Sequence, residues 1–221
     1  MKLRLALAGV GLLALGASAN GAIVINEVLG STTGTDSEFI ELYNTGGSSI
    51  DIGDWQIELW DSDSGASFGG ADDSSPHVVP TGTTLAAGGY YLMANPTFSS
   101  YYSATPDFAL PANAIENSSY TMILKDSSLA TINSIFVTDG GVGDAANDAG
   151  TLITPDLTVG PDGSFLPAGF YRVGDGGATT ALLEFSPQPA PSATPGAMNL
   201  PEPATMALLG LGALAIVRRR R

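Results

Sequence analysis

Between residues 23 and 185 the apolar residues of this chain fall in short runs, often at every second position, and Gly, Asp, Ser, Asn and Pro interrupt each run before it reaches helical length. A period of two places alternate side chains on opposite faces of a strand. Trp55-Gln56-Ile57-Glu58-Leu59-Trp60 alternates throughout, which predicts Trp55, Ile57 and Leu59 facing inward and Gln56, Glu58 and Trp60 outward. Residues 38–44 alternate too, with Ile40 and Leu42 on one face. Further strands are predicted at Ile23–Leu29, Tyr90–Ala94, Tyr120–Lys125, Thr131–Val137, Gly169–Val173 and Ala181–Phe185. No stretch of this region keeps a helical period over three turns. Many short strands with turn residues between them predict an all-β sandwich or barrel, and insertions at 61–76 and 138–165 are expected on its surface.

The chain has no cysteine, so no disulfide framework supports the fold and the core must hold by packing. Its length of 221 residues suits one domain or two small ones. The net charge of −14 is unevenly spread. Between Asn20 and Leu200 only Lys125 and Arg172 oppose 21 acidic residues, a net of −19. Such a surface repels phosphate backbones and anionic headgroups, so nucleic acid is not an expected partner. Its ordinary use is to keep an exported protein soluble.

Both ends read as processing segments. Lys2 and Arg4 precede the apolar run Leu5 to Leu15, and Ala17-Ser18-Ala19 is a small-x-small cleavage site. Residues 1–19 therefore read as a signal peptide cut before Asn20, with a cut after Ala22 as the weaker alternative and an uncleaved anchor as the other. At the far end Pro201-Glu202-Pro203 leads into an apolar stretch, 204–217, and then Arg218, Arg219, Arg220 and Arg221. Fourteen helical residues rise about 21 Å against a hydrocarbon core of about 30 Å. The span is short, but the arginine stems can snorkel to the headgroups and their charge belongs on the cytoplasmic side.

This tripartite end resembles the PEP-CTERM protein-sorting signal over residues 201–221. The resemblance implies an exosortase-type membrane enzyme that reads Pro201, Glu202 and Pro203 and removes the tail. It also implies a Gram-negative-type bacterium that makes exopolysaccharide, with the inner membrane holding the chain before processing and the cell surface or extracellular matrix receiving it afterwards. A plain tail anchor is the alternative, although it needs no Pro-Glu-Pro.

The middle carries a second resemblance. Ile25-Asn26-Glu27-Val28, Glu38-Phe39-Ile40-Glu41-Leu42-Tyr43-Asn44 and Ile52-Gly53-Asp54-Trp55 look like the opening of a lamin-tail domain. Ala87-Gly88-Gly89-Tyr90-Tyr91-Leu92 resembles its next signature. Thr131–Ile135 fits a late strand, with Asn133 where Asp is more usual, and Ser192–Asn199 looks like the closing Pro-Gly segment. The implied fold is an immunoglobulin-like β-sandwich over residues 20–199, set between an N-terminal signal helix and a C-terminal transmembrane helix. The implied role is that of a tether or adhesion module, without an enzyme's active site. Glu27 and Glu41 belong to this pattern and are expected to be structural, accepting hydrogen bonds from loop backbone.

Chemistry is sparse. His77 is the only histidine and sits in a Ser-Pro-His loop, where an exposed bystander is expected; no G-x-S-x-G elbow, P-loop or dinucleotide fingerprint occurs. Paired acids for glycoside hydrolysis require one buried, proton-retaining carboxyl in a cleft, which sequence does not show. Calcium is the sharper candidate. Asp61-Ser62-Asp63-Ser64-Gly65, with Asp72 and Asp73 eleven and twelve residues after Asp61, alternates like an oxygen-ligand loop, although its glycine comes one place early and Asp replaces the final Glu. A second acidic group, Asp139, Asp144, Asn147 and Asp148, has no standard spacing. Both groups also read as solvated loops. A carbohydrate-binding role, with the protein retained in exopolysaccharide, would use an outward aromatic. Trp60 is the candidate, with Tyr90, Tyr91, Tyr101 and Tyr102 more simply explained by packing.

Overall fold

A computed structural model describes residues 23–30, 37–63, 67–68, 76–159, 169–183, 189–190 and 192–199. The signal peptide, the sorting tail with its apolar stretch, and Asp72 and Asp73 lie outside the described residues. Among the described residues no helix is long and apolar enough to cross a membrane.

In chain order the strands are β1 (Ile23–Leu29), β2 (Phe39–Asn44), β3 (Ile50–Asp51), β4 (Gln56–Asp61), β5 (Ser67–Phe68), β6 (His77–Val78), β7 (Thr84–Leu85) and β8 (Tyr90–Ala94). A 3-10 turn, Phe98–Ser100, comes after β8. Then come β9 (Phe108–Ala109), β10 (Tyr120–Lys125), β11 (Thr131–Thr138), β12 (Ala146–Asp148), β13 (Thr151–Ile153), β14 (Leu157–Thr158), β15 (Gly169–Arg172) and β16 (Thr180–Leu183). All eight expected strands are present, and where both ends lie among the described residues they move by one residue at most. The additional ones are two or three residues long, too short to carry a period.

Two sheets form a sandwich. The first has the order β16-β15-β1-β2-β8-β9 and the second β14-β11-β10-β4-β5, with β6 also on β4. Pairing is antiparallel except at two edges, where β9 joins β8 and β14 joins β11 in parallel. The main core lies between the sheets. Ile23, Ile25, Val28, Ile40, Leu42, Met93 and Phe170 from the first meet Ile57, Leu59, Tyr120, Met122, Leu124, Ile135 and Val137 from the second. This matches the faces expected for Ile40, Leu42, Ile57 and Leu59. Trp55 is half-buried against the same core.

A bulge in β1 resets which face its later side chains occupy. The register to β2 shifts between Ile25 and Glu27, so Asn26 is the extra residue and the strand turns new side chains outward. The Ile25 backbone bonds across to side chains: its N–H donates to Asn133 Oδ1 of the second sheet (2.9 Å), and its carbonyl accepts from Arg172 Nε (2.8 Å). Asn133 and one of the two basic residues of the middle region thereby stitch the bulge.

The alternation rule fails at Glu58, which is 8% exposed although it sits on the outer face of the second sheet. Its oxygens are taken up by Lys125 Nζ, Gln56 Nε2 (3.3 Å) and the Trp60 indole N–H (3.4 Å), and the described part of the insertion, 138–159, reaches that lysine. Its hairpin, β12 with β13, buries Ala146 and brings Asp148 Oδ1 to 3.7 Å from Lys125 Nζ, while Lys125 also holds Glu58 Oε1 at 2.8 Å. The Thr131 hydroxyl donates to Asp148 as well. The described part of the insertion is therefore bound to the second sheet through Asp148.

Two carboxylates beneath the closing segment

On the outer face of the first sheet a second apolar cluster gathers Leu29, Phe39, Leu92, Phe98, Tyr171 and Leu183, with Ala190 and Ala193 of the chain's closing portion upon it. Glu27 and Glu41 lie on this face as directly opposed partners of β1 and β2, both with no measurable exposure. Like charges directly opposite across a strand pair repel. The sequence tolerates the arrangement because residues 192–199 close over it with backbone donors. Thr194 N–H donates to Glu27 Oε1 (2.9 Å) and Gly196 N–H to Glu41 Oε2 (2.6 Å), while Asn26 Nδ2 supplies Glu41 Oε1 (2.8 Å). Gly196 holds φ at +76°, a conformation that residues with a side chain rarely adopt, and this aims its N–H at the carboxylate.

Asp175 completes the network from the β15–β16 turn. Its Oδ1 accepts from Asn26 Nδ2 (3.1 Å) and Asn199 N–H (3.0 Å), and its Oδ2 from the Tyr90 hydroxyl (2.7 Å). Asn26 Oδ1 in turn accepts from Gly176 N–H (2.9 Å), and Gly174 N–H donates to the Asn199 carbonyl (3.1 Å). The segment immediately before Pro201 is thus tied at Thr194, Gly196 and Asn199.

Burial pushes the Glu27 carboxyl well above the usual carboxylate range, and the neighbouring Glu41 charge pushes it further. Burial likewise raises Glu41 to about 7, against the lowering effect of the Asn26 and Gly196 hydrogen bonds. A raised carboxyl in a cleft is what a glycosidase acid needs. Here the pair is sealed from solvent under the chain itself, and its oxygens are engaged by the closing segment. The arrangement is a fastening, as expected of Glu27 and Glu41 from sequence. Asn26, Tyr90 and Asp175 were not foreseen. The Gly174-Asp175-Gly176-Gly177 turn was the available signal.

The other sequence-derived candidates are dispersed. Trp60 is half-buried on the outer face of the second sheet, as its parity predicts, with its indole N–H 3.4 Å from Glu58 Oε2. Tyr91 is in the main core, Tyr90 binds Asp175, and Tyr102 stacks on Phe98 (4.9 Å between centroids) and accepts the Ala190 N–H. His77 is half-buried in β6, its ring edge-on to Phe108, so it is part of the sheet and its packing where an exposed loop residue was expected.

Asp61 Oδ1 takes the Asp63 N–H (2.9 Å), and Asp63 Oδ2 takes the Ser118 hydroxyl (3.1 Å). Next along the chain, Ser119 Oγ donates to Asp144 Oδ2 (2.6 Å) and lies 3.3 Å from Asp139 Oδ1. Partial desolvation, together with the charges of Asp144, Asp139 and Asp61, raises the Asp63 carboxyl above its usual value. The two acidic loops, separate in sequence, therefore feel each other at one edge of the domain. Among the described residues, no three His, Cys, Asp or Glu side chains stand close enough to hold a metal ion.

Comparison with known proteins agrees with this architecture. The family model of the Lamin Tail Domain matches residues 16–159, and that of the PEP-CTERM protein-sorting motif matches residues 199–221. No curated protein matches the chain. β15, β16 and the closing segment fall beyond the first match, yet β15 pairs with β1 and the closing segment rests on the same sheet. With about two thirds of its length matched, the chain belongs to the lamin tail domain family and ends in a PEP-CTERM protein-sorting motif.

Proposed function

We propose that this protein is a non-catalytic module of the cell surface or extracellular matrix, exported by residues 1–19 and handed by its sorting motif to an exosortase-type enzyme. The observation that carries the reading is the sorting motif directly after a sandwich whose last described residues are fastened down. Asn199 is 1% exposed, and both its N–H and its carbonyl are bonded to the β15–β16 turn. In this reading the apolar stretch 204–217 holds the chain in the inner membrane with Arg218–Arg221 on the cytoplasmic side. The enzyme removes the tail near Pro201, and the released domain acts as a structural or adhesive unit among exopolysaccharide and other surface proteins. A family match that is structural in character, and a buried acid pair that no substrate reaches, support a role without catalysis.

The test is intact mass spectrometry of the protein from the native host, with and without the exosortase gene. The expected result is a secreted species lacking both ends in the first strain and a membrane-retained species with its tail in the second. Full-length polypeptide accumulating in the cytosol of both strains would overturn the reading.

A second reading, retention through carbohydrate, is favoured by the half-buried Trp60 on an outer sheet face. Loss of polysaccharide binding on Trp60→Ala, with the fold intact, would place the contact there.

A further inference from the structure

Asn95 is the one asparagine of the chain that precedes a proline. An asparagine side chain ordinarily reacts with the backbone nitrogen of the next residue and deamidates. The nitrogen of proline carries no hydrogen, so that route is closed at Asn95. The ring closure left open runs the other way, with Nδ2 adding to the residue's own carbonyl carbon.

The fold holds the groups such a closure needs. Asn95 directly follows β8, and its N–H donates to the Glu38 carbonyl (3.1 Å). Its carbonyl oxygen accepts the Phe98 N–H (3.2 Å), which closes a turn over Pro96 and Thr97. Phe98 has no measurable exposure and packs on Phe39 and Tyr102, so this donor is fixed. A fixed donor on that oxygen stabilises the negative charge it gains when a nucleophile adds to the carbon. Asn95 is 2% exposed, and its Nδ2 makes no hydrogen bond within the protein, so it breaks none on reacting. Its Oδ1 accepts the Thr97 hydroxyl (3.3 Å), which stabilises charge on the amide as Nδ2 sheds a proton. Pro96, by contrast, is exposed, so its nitrogen takes up a proton from solvent as it leaves.

We propose that the bond between Asn95 and Pro96 is a self-cleavage site. Nδ2 of Asn95 bonds to its own carbonyl carbon and gives up a proton to water. The bond from that carbon to the Pro96 nitrogen breaks, and the nitrogen keeps the electron pair and takes a proton. The first piece ends in a succinimide and the second begins at Pro96. No atom is gained or lost until water opens the ring. The first piece holds β1–β8 and the second β9–β16. β1 pairs with β15, β4 with β10 and β8 with β9, so both sheets bridge the cut. The domain therefore stays folded, and the piece bearing the sorting motif holds the other by strand pairing and packing alone. This cut is independent of tail processing, which acts at the other end of the second piece.

The test is mass spectrometry under denaturing conditions on the full-length protein in detergent micelles, kept with protease inhibitors at mildly alkaline pH and sampled over days. The expected result is two pieces that meet at Asn95 and Pro96, with masses summing first to that of the uncut chain and later to that mass plus one water. Size exclusion without denaturant should still show one species. Cutting should be at least about tenfold faster in the folded protein than in urea, where the turn is lost. Asn95→Ala removes the nucleophile and should abolish the cut, as should Asn95→Asp, which keeps the shape of the side chain. Wild-type protein that stays whole would overturn the proposal, whatever the variants do. So would pieces that carry the extra water from their first appearance, a rate unchanged in urea, or a cut that persists in Asn95→Asp.

Discussion

The two outer faces of the sandwich both bury acidic side chains, and they do so by different physics. On the second sheet Glu58 meets a cation, Lys125, which Asp148 of the β12–β13 hairpin also approaches. On the first sheet Glu27 and Glu41 face each other and are covered by residues 192–199, whose backbone N–H groups are their partners. An ion pair offsets charge with charge and weakens in salt. Opposed carboxyls bound to amides offset repulsion by retaining protons, so their stability depends on pH. The comparison therefore separates a salt-sensitive cover from a pH-sensitive one.

Removing the acceptor should show the difference most strongly. Glu41→Ala leaves Gly196 N–H without its acceptor and Asn26 Nδ2 with Asp175 alone, in a buried site. It should cost about 2–4 kcal/mol in urea unfolding, and a loss below about 0.5 kcal/mol would mean that the closing segment is not held there. The effect of pH comes next in size. Glu41 titrates near 7 in the folded protein and near 4.5 unfolded, so the folded state binds more protons in between. Its contribution is complete below about pH 4.5 and is lost as pH rises through about 7; Glu27 shifts in the same direction. From pH 5 to pH 8 the domain should lose roughly 2–3 kcal/mol from Glu41. Glu41→Gln should flatten that slope. A wild-type stability that rises over the same interval would contradict the assignment.

On the other face, Lys125→Met should cost about 1–2 kcal/mol, and the wild-type difference should shrink in high salt. Equal sensitivity of Glu41→Ala to salt would erase the contrast between the two covers. The smallest effect concerns calcium. Relief of repulsion between Asp63 and the Asp139–Asp144 loop should raise the melting temperature by about one to two degrees in millimolar calcium. Melting curves that coincide with and without chelator would remove calcium from the account.

The sandwich was legible because short apolar runs stand between turn residues, and Ile23–Leu29, Tyr90–Ala94 and Tyr120–Lys125 appear with the bounds those runs gave them. The features that escaped were set by tertiary covering. Glu58 reads as solvent-facing until Lys125 of the neighbouring strand, with Asp148 beside it, takes up its carboxylate, and β3, β7 or β9 are too short to hold a pattern. The role of Glu27 and Glu41 was readable from the family motif. Their connection to Asp175 was not, since 134 residues separate Glu41 from its neighbour in the network.

Hydrogen exchange at single amides tests the fastening most directly. If the closing segment is bound as described, the amides of Thr194, Gly196 and Asn199 exchange as slowly as those of the β1–β2 ladder, and Glu41→Ala releases them while β1 stays protected. Exchange of the three at the rate of an unstructured peptide in the wild-type protein would show that the tail hangs free of the domain.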